Sequence, residues 1–117
     1  MNPLRIGIVG CGAVVERFHL PASTLVPEIS IESLVDRDQS RAKRLADIYG
    51  VRHVHADYHE MIGKVDAAII ALPHSLIARV SEEFLTSGIP ILVEKPMAVT
   101  AEDAKRLTPP IDAFLPA

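Results

Sequence analysis

The chain has 117 residues, of which 49% are hydrophobic and 23% charged, a composition typical of one folded domain and not of a disordered chain. Twelve Lys and Arg residues against 15 Asp and Glu residues give a net charge of −3, and aromatic residues make up only 4%. This balance argues against nucleic acid or an anionic membrane as partner. The single cysteine excludes an intrachain disulfide, and the start of the chain has no signal-peptide pattern, so the predicted location is cytoplasmic.

Apolar, β-rich runs alternate with helical patterns along the chain. The predicted strands cover residues 4–9, 29–35, 53–55, 67–72 and 89–93. Helices are expected from about residue 13, between 38 and 50, briefly after 57, from 75 to about 88, and after 100. This alternation predicts an α/β fold, a doubly wound parallel sheet of about five strands in the order 3-2-1-4-5.

Two glycines, Gly10 and Gly12, follow the first predicted strand directly. Gly10 permits a tight turn, and Gly12 lets the backbone approach a pyrophosphate at the start of the next helix. The third glycine of the usual G-x-G-x-x-G pattern is Val15 here, so the match is incomplete and a plain strand–helix turn is the alternative. The predicted cofactor-binding turn consists of Gly10, Cys11, Gly12, Ala13 and Val14.

An acidic and a basic residue, Asp36 and Arg37, follow the second predicted strand. A carboxylate at this place can accept both ribose hydroxyls of an adenosine and repel a 2′-phosphate, whereas an arginine beside it can hold that phosphate. The pair therefore fits NAD or NADP and favours NAD. The alternative for Asp36 is a solvated turn residue in front of a helix that Asp38 caps.

Two further loops follow the fourth and fifth predicted strands, and parallel strands bring such loops to one edge of the sheet. Leu72, Pro73 and His74 form the first loop, which we expect to lie along the nicotinamide ribose. Glu94 and Lys95 follow the fifth strand. A desolvated lysine can exchange a proton with a substrate hydroxyl, so Lys95 is the predicted catalytic residue. A solvated charge pair is the alternative.

These motifs together resemble the Gfo/Idh/MocA family of NAD(P)-dependent oxidoreductases. The matching segments run in the family's order from residue 4 to about 107, and Glu94-Lys95-Pro96 is the most specific of them. The other matching segments are residues 10–22, 34–38, 57–58 and 65–67. The resemblance implies a Rossmann-like domain of an enzyme that transfers hydride between a nicotinamide cofactor and a sugar, polyol or similar hydroxyl compound.

The resemblance also implies roles for individual residues. Gly10, Gly12 and Asp36 would bind the dinucleotide, and Pro73 and His74 would line its ribose. Glu94 and Lys95 would border the nicotinamide and the substrate, with Lys95 on the oxygen of the carbon that gains or loses hydride. The residues with these implied roles are Gly10, Gly12, Asp36, Pro73, His74, Glu94 and Lys95.

Two departures from the family pattern stand out. Ile77 stands where many members carry a histidine, and the pattern fails after Leu107. We therefore expect a dinucleotide-binding domain at residues 1–107 that is truncated after the fifth strand and a short helix. Residues 108–117 would form an irregular tail, and the usual substrate domain would be absent. Such a chain would leave apolar surface uncovered and self-associate.

Three other interpretations stay open or are set aside. The chain can be a non-catalytic dinucleotide-binding fragment or remnant. An S-adenosylmethionine-dependent methyltransferase also uses a glycine turn and an acid after its second strand, although the Glu94-Lys95-Pro96 segment argues against it. His53, His55 and His59 invite a metal hypothesis, but their spacing fixes no third or fourth ligand, so no metal site is predicted.

Overall fold

Five parallel strands form one sheet in residues 2–93, the part of the chain that the computed structural model describes. The order across the sheet is β3-β2-β1-β4-β5, which confirms the predicted fold class and strand order. The predictions for Glu94, Lys95, the last helix and the tail lie outside the described residues. The strands are β1 (Leu4–Val9), β2 (Ile29–Val35), β3 (His53–His55), β4 (Ala67–Ile70) and β5 (Ile91–Val93).

The helical elements connect these strands. They are a π-helical turn at Val15–His19 that continues into α1 (Leu20–Ser23), then α2 (Gln39–Tyr49), a 3-10 turn at Tyr58–Met61, and α3 (His74–Thr86). Asp38 caps α2 by accepting a hydrogen bond from the Arg41 amide, and Gly50 ends it in the left-handed conformation, as predicted. None of the helices in residues 2–93 has the length and apolar character needed to cross a membrane.

The start of α3 differs from the expectation. The sequence predicts Ser75 as the first, capping residue, but the helix begins at His74 and Pro73 takes the capping position. Pro73 has an extended ψ of 148°, and its carbonyl accepts a hydrogen bond of 2.9 Å from the Leu76 amide. The fixed φ of proline suits entry into a helix, so the helix starts earlier than a serine cap would place it.

Side chains of β1 alternate between two separate cores, one on each face of the sheet. Ile6 and Ile8 belong to the core beneath α2, whereas Val9 belongs to the core beneath α3 and the 3-10 turn. Gly7 points to that second face, where a Cβ would overlap the buried Met61 side chain. The two cores hold the carboxyl ends of the strands at one edge.

The helical segment after β1 accommodates the missing third glycine. Val15 is fully buried and belongs to the same core as Ile8 and Leu20. The π-helical turn begins at this residue. Single π-helical turns are rare and occur frequently near functional sites, and this one directly follows the glycine turn.

Candidate functional site

A cavity of about 690 Å³ opens at the carboxyl edge of the sheet. Residues that follow β1, β2, β3 and β4 border it, as the topology of a doubly wound sheet dictates. The predicted site residues that line it are Gly10, Cys11, Gly12, Asp36, Arg37, Leu72 and Pro73. Ala13, Val14 and His74 are exposed and are not among the lining residues. Glu94 and Lys95 lie outside the described residues.

The glycine turn is fixed against both neighbouring strands. Gly10 has a φ of 97°, and its amide donates a hydrogen bond of 2.7 Å to the Val35 carbonyl. A Cβ at Gly10 would overlap the carbonyl oxygen of Ala71. Ala71 is held in turn, because its amide donates to the Val9 carbonyl at 2.8 Å. The turn therefore has one conformation, and only glycine fits at position 10.

Gly12 occupies the opposite kind of environment. A Cβ placed there would meet nothing within 4 Å. The backbone at this point is consequently open on the side that a side chain would fill. This is the arrangement that a pyrophosphate group requires if it is to approach the backbone closely, so the turn fits the phosphates of a dinucleotide.

Asp36 is engaged with the backbone of the glycine turn. Its Oδ2 accepts a hydrogen bond of 2.7 Å from the Cys11 amide, and its Oδ1 accepts one of 2.8 Å from the Asp38 amide. The side chain is only 10% exposed. The carboxylate thus borders the cavity and at the same time ties the end of β2 to the turn after β1.

Arg41 is a site residue that the sequence analysis missed. Its Nη2 lies 3.3 Å from Oδ2 of Asp36, and it lines the cavity from the first turn of α2. Arg37, which the sequence favours, lines the cavity but is exposed and forms no ion pair among residues 2–93. The helical spacing between the Asp38 cap and Arg41 was the available signal.

Beyond β3, the 3-10 turn closes another side of the cavity. His59 lies between two carboxylates, with its Nδ1 2.6 Å from Asp57 Oδ1 and its Nε2 beside Glu83 of α3. These partners, Asp57 first, raise the pKa of His59 above its usual value. Burial, followed by the contact with Glu83, raises the pKa of Tyr58 to about 12. Within residues 2–93, no group of three or more His, Cys, Asp or Glu side chains is arranged to hold a metal ion.

Cys11 lines the cavity with its backbone, and its thiol is buried. The residue is fully inaccessible to solvent, and the pKa of the thiol is raised to about 12 by burial and then by the nearby Asp36. A thiol in this state is neutral and a poor nucleophile. Cys11 therefore serves as a small residue in the turn.

A family model described as an oxidoreductase family with an NAD-binding Rossmann fold, GFO/IDH/MocA, matches residues 4–110. The chain belongs to this family. The resemblance inferred from the motifs is therefore confirmed. The match extends over the whole of the described sheet and over the glycine turn, Asp36 and the loop after β4.

Members of the GFO/IDH/MocA family with assigned activities are among the relatives. The chain is 32% identical over 108 residues to a dTDP-3,4-didehydro-2,6-dideoxy-alpha-D-glucose 3-reductase of Actinomadura kijaniata, which covers 91% of this chain and 32% of that protein. It is also 32% identical over 107 residues to inositol 2-dehydrogenase 1 of Saccharopolyspora erythraea, covering 89% of this chain and 32% of that protein. The chain thus spans about a third of the length of the curated relatives it matches.

Solved structures of family members have the same fold. A 3-ketoreductase from Actinomadura kijaniata in complex with NADP and TDP-benzene superposes with a TM-score of 0.82 at 32% identity, covering 91% of this chain and 33% of that chain. An oxidoreductase from Thermotoga maritima gives a TM-score of 0.84 at 32% identity, covering 91% and 34%. These likenesses establish the chain as the NAD(P)-binding Rossmann domain of the family.

Proposed function

We propose that the chain binds NAD or NADP in the cavity at the carboxyl edge of the sheet, as the cofactor domain of a hydride-transfer oxidoreductase. The observation that carries this proposal is that the open backbone at Gly12, the carboxylate of Asp36 and the loop at Pro73 border one cavity. Relatives named as a sugar 3-reductase and an inositol dehydrogenase support a sugar, polyol or similar hydroxyl compound as substrate.

The cavity offers a distinct surface to each part of a dinucleotide. The backbone at Gly12 would receive the pyrophosphate, and Asp36 would accept hydroxyls of the adenosine ribose. Apolar side chains from the loop after β4 and from α3, Leu72, Leu76 and Val80, would pack against the adenine ring. Because Asp36 favours ribose hydroxyls over a phosphate, NAD is the preferred cofactor in this proposal.

The reaction would proceed on the nicotinamide side of the cavity. The bound cofactor supplies or accepts the hydride. Lys95 would exchange a proton with the substrate oxygen, with Glu94 beside it, and Pro73 and His74 would lie along the nicotinamide ribose. These four roles are predictions from the sequence and the family resemblance.

Isothermal titration of the full chain with NADH and with NADPH tests the proposal. We expect saturable binding of NADH, and AMP should compete for the same site. The variant Arg5→Gln is a suitable control because Arg5 pairs with Asp66 at the opposite edge of the sheet, so it should bind as the unchanged chain does. Failure of both dinucleotides to bind at millimolar concentration would refute the proposal.

A non-catalytic binding domain is the second candidate, because the chain spans about a third of its relatives' length. Hydride transfer by the purified chain to any member of a panel of sugars and polyols would refute this alternative. The match to an NAD-binding oxidoreductase family argues against the S-adenosylmethionine-dependent methyltransferase. The cytoplasmic location stays a prediction.

Self-association follows from the edge position of β5. This strand is last in the sheet order, and Leu92 at its centre is 58% exposed. Exposed edges that carry large apolar side chains favour pairing with another chain. Light scattering should detect oligomers whose abundance increases with concentration, and Leu92→Lys should reduce them. A monodisperse monomer at high concentration would contradict this expectation.

A further inference from the structure

Two acidic and two basic residues border the cavity around the end of β2. They are Asp36, Arg37, Asp38 and Arg41. Their contacts differ, because Arg41 pairs with Asp36 whereas Arg37 forms no ion pair within residues 2–93. The arginine that governs charge beside Asp36 is therefore the one that lies on α2, not the one next to it in the sequence.

We propose that Arg41 allows the adenosine end of the cavity to accept a 2′-phosphate, and so determines how strongly the domain prefers NADH to NADPH. This inference rests on the proposed function, since it concerns the same cofactor cavity. It predicts a moderate preference for NADH in the unchanged chain and a strong one when Arg41 is replaced.

The first support is the state of the Asp36 carboxylate. It already accepts hydrogen bonds from the amides of Cys11 and Asp38, and Arg41 lies 3.3 Å from Oδ2. An opposite charge at this distance offsets the field of the carboxylate, which would otherwise repel an incoming phosphate. The three donors also occupy acceptor positions that ribose hydroxyls would use, so Asp36 discriminates less than a free carboxylate.

The second support is the bonding capacity left on Arg41. One contact, from Nη2 to Asp36, accounts for its ion pairing, and its Nε is buried without a partner within residues 2–93. A guanidinium has several N–H donors in a planar fork that matches the oxygens of a phosphate. Arg41 can therefore bind a phosphate with donors that now have no partner.

The third support is the fixed backbone beneath Arg41. Its amide donates to Asp38 Oδ1 at 3.1 Å, and the Ala42 amide donates to the Asp38 carbonyl at 3.1 Å, so the first turn of α2 is held at the cavity edge. Only the side chain of Arg41 needs to rotate to meet a phosphate. The exposed side chain of Arg37 would lose more conformational entropy on the same contact.

The test compares two ligands that differ only by the 2′-phosphate, AMP and adenosine 2′,5′-bisphosphate. Their affinities are measured by isothermal titration at low ionic strength for the unchanged full chain and for Arg41→Gln, Arg41→Lys, Arg37→Gln and Arg44→Gln. Arg44 is the matched control, because it lies on the same helix and pairs with Glu16 outside the cavity. Thermal melting of each variant reports whether it is folded.

We expect Arg41→Gln to weaken bisphosphate binding by about tenfold or more while AMP affinity changes by less than about threefold. Arg41→Lys keeps the charge and should recover part of the loss, and Arg44→Gln should leave both affinities unchanged. An equal loss for both ligands, or a larger specific loss in Arg37→Gln, would overturn the inference while leaving the proposed function intact. If the unchanged chain binds neither ligand, the proposed function itself fails and the inference with it.

Discussion

Replacing each turn glycine by alanine separates folding from cofactor binding. Gly10 has a φ of 97°, a backbone conformation that costs an L-residue about 1–2 kcal/mol. The new Cβ would also overlap the carbonyl oxygen of Ala71 and lie 2.9 Å from its carbonyl carbon. Ala71 cannot withdraw without breaking its 2.8 Å hydrogen bond to Val9, so overpacking adds about 1–3 kcal/mol.

The expected loss for Gly10→Ala is therefore about 2–5 kcal/mol, obtained by adding the two ranges. A domain of ordinary stability unfolds with a free energy of only about 5–15 kcal/mol, so the variant would lose a large part of it. Gly12→Ala should behave differently, because its Cβ meets nothing within 4 Å and its φ is not positive. Its stability should change by less than about 1 kcal/mol, but the methyl group would obstruct the approach of a pyrophosphate.

The assay is urea denaturation followed by far-ultraviolet circular dichroism, combined with titration of NADH. Gly50→Ala is the control for backbone strain alone, because Gly50 has a φ of 69° and an added Cβ there meets nothing within 4 Å. We expect the loss of stability to increase from Gly12→Ala through Gly50→Ala to Gly10→Ala. The reasoning fails if Gly12→Ala unfolds as easily as Gly10→Ala, or if it binds NADH as tightly as the unchanged chain.

Three further outcomes follow from buried or paired groups. Cys11 should react slowly with iodoacetamide at mildly alkaline pH until the chain unfolds, because it is fully buried and burial raises its thiol pKa to about 12; reaction at the rate of free cysteine would contradict this. Ser81→Ala should raise the free energy of unfolding by about 1 kcal/mol in urea titrations, because the buried Ser81 hydroxyl has no partner within residues 2–93, and a destabilised variant would disprove that explanation. His59 has a raised pKa, so its contribution to stability is complete below its ordinary value of 6.5 and is lost as the pH rises through the higher folded-state value. Thermal melts of His59→Gln should lack this component, and an unchanged pH profile would refute the assignment.

The sheet was predictable because its signals are local and repeated. The apolar runs at each strand, the Asp38 cap and the Gly50 ending each follow from a few neighbouring residues, and the structure confirms them. Strand order then follows from the handedness of the connections and from the position of the glycine turn. No long-range contact had to be known in advance to place the cavity at the carboxyl edge.

The contacts within the site were not predictable in the same way. The pairing of Arg41 with Asp36 depends on how α2 lies against the end of β2, and the contact of His59 with Glu83 joins residues from two separate connections. Such contacts depend on side-chain direction and tertiary packing, which local patterns do not encode. For the same reason, Arg37 looks from the sequence like the more important arginine, although it forms no ion pair within the described residues.

Asp36 couples cofactor preference to the shape of the glycine turn. The same carboxylate that would accept ribose hydroxyls holds the Cys11 amide at 2.7 Å, and Cys11 is fully buried. Replacing Asp36 by a small neutral residue would release Arg41 for a phosphate, but it would also leave a buried amide unpaired, which costs about 1–3 kcal/mol. A change at Arg41 leaves that hydrogen bond in place. In this domain, therefore, the preference between the two dinucleotides can be altered at Arg41 with less damage to the turn than at Asp36.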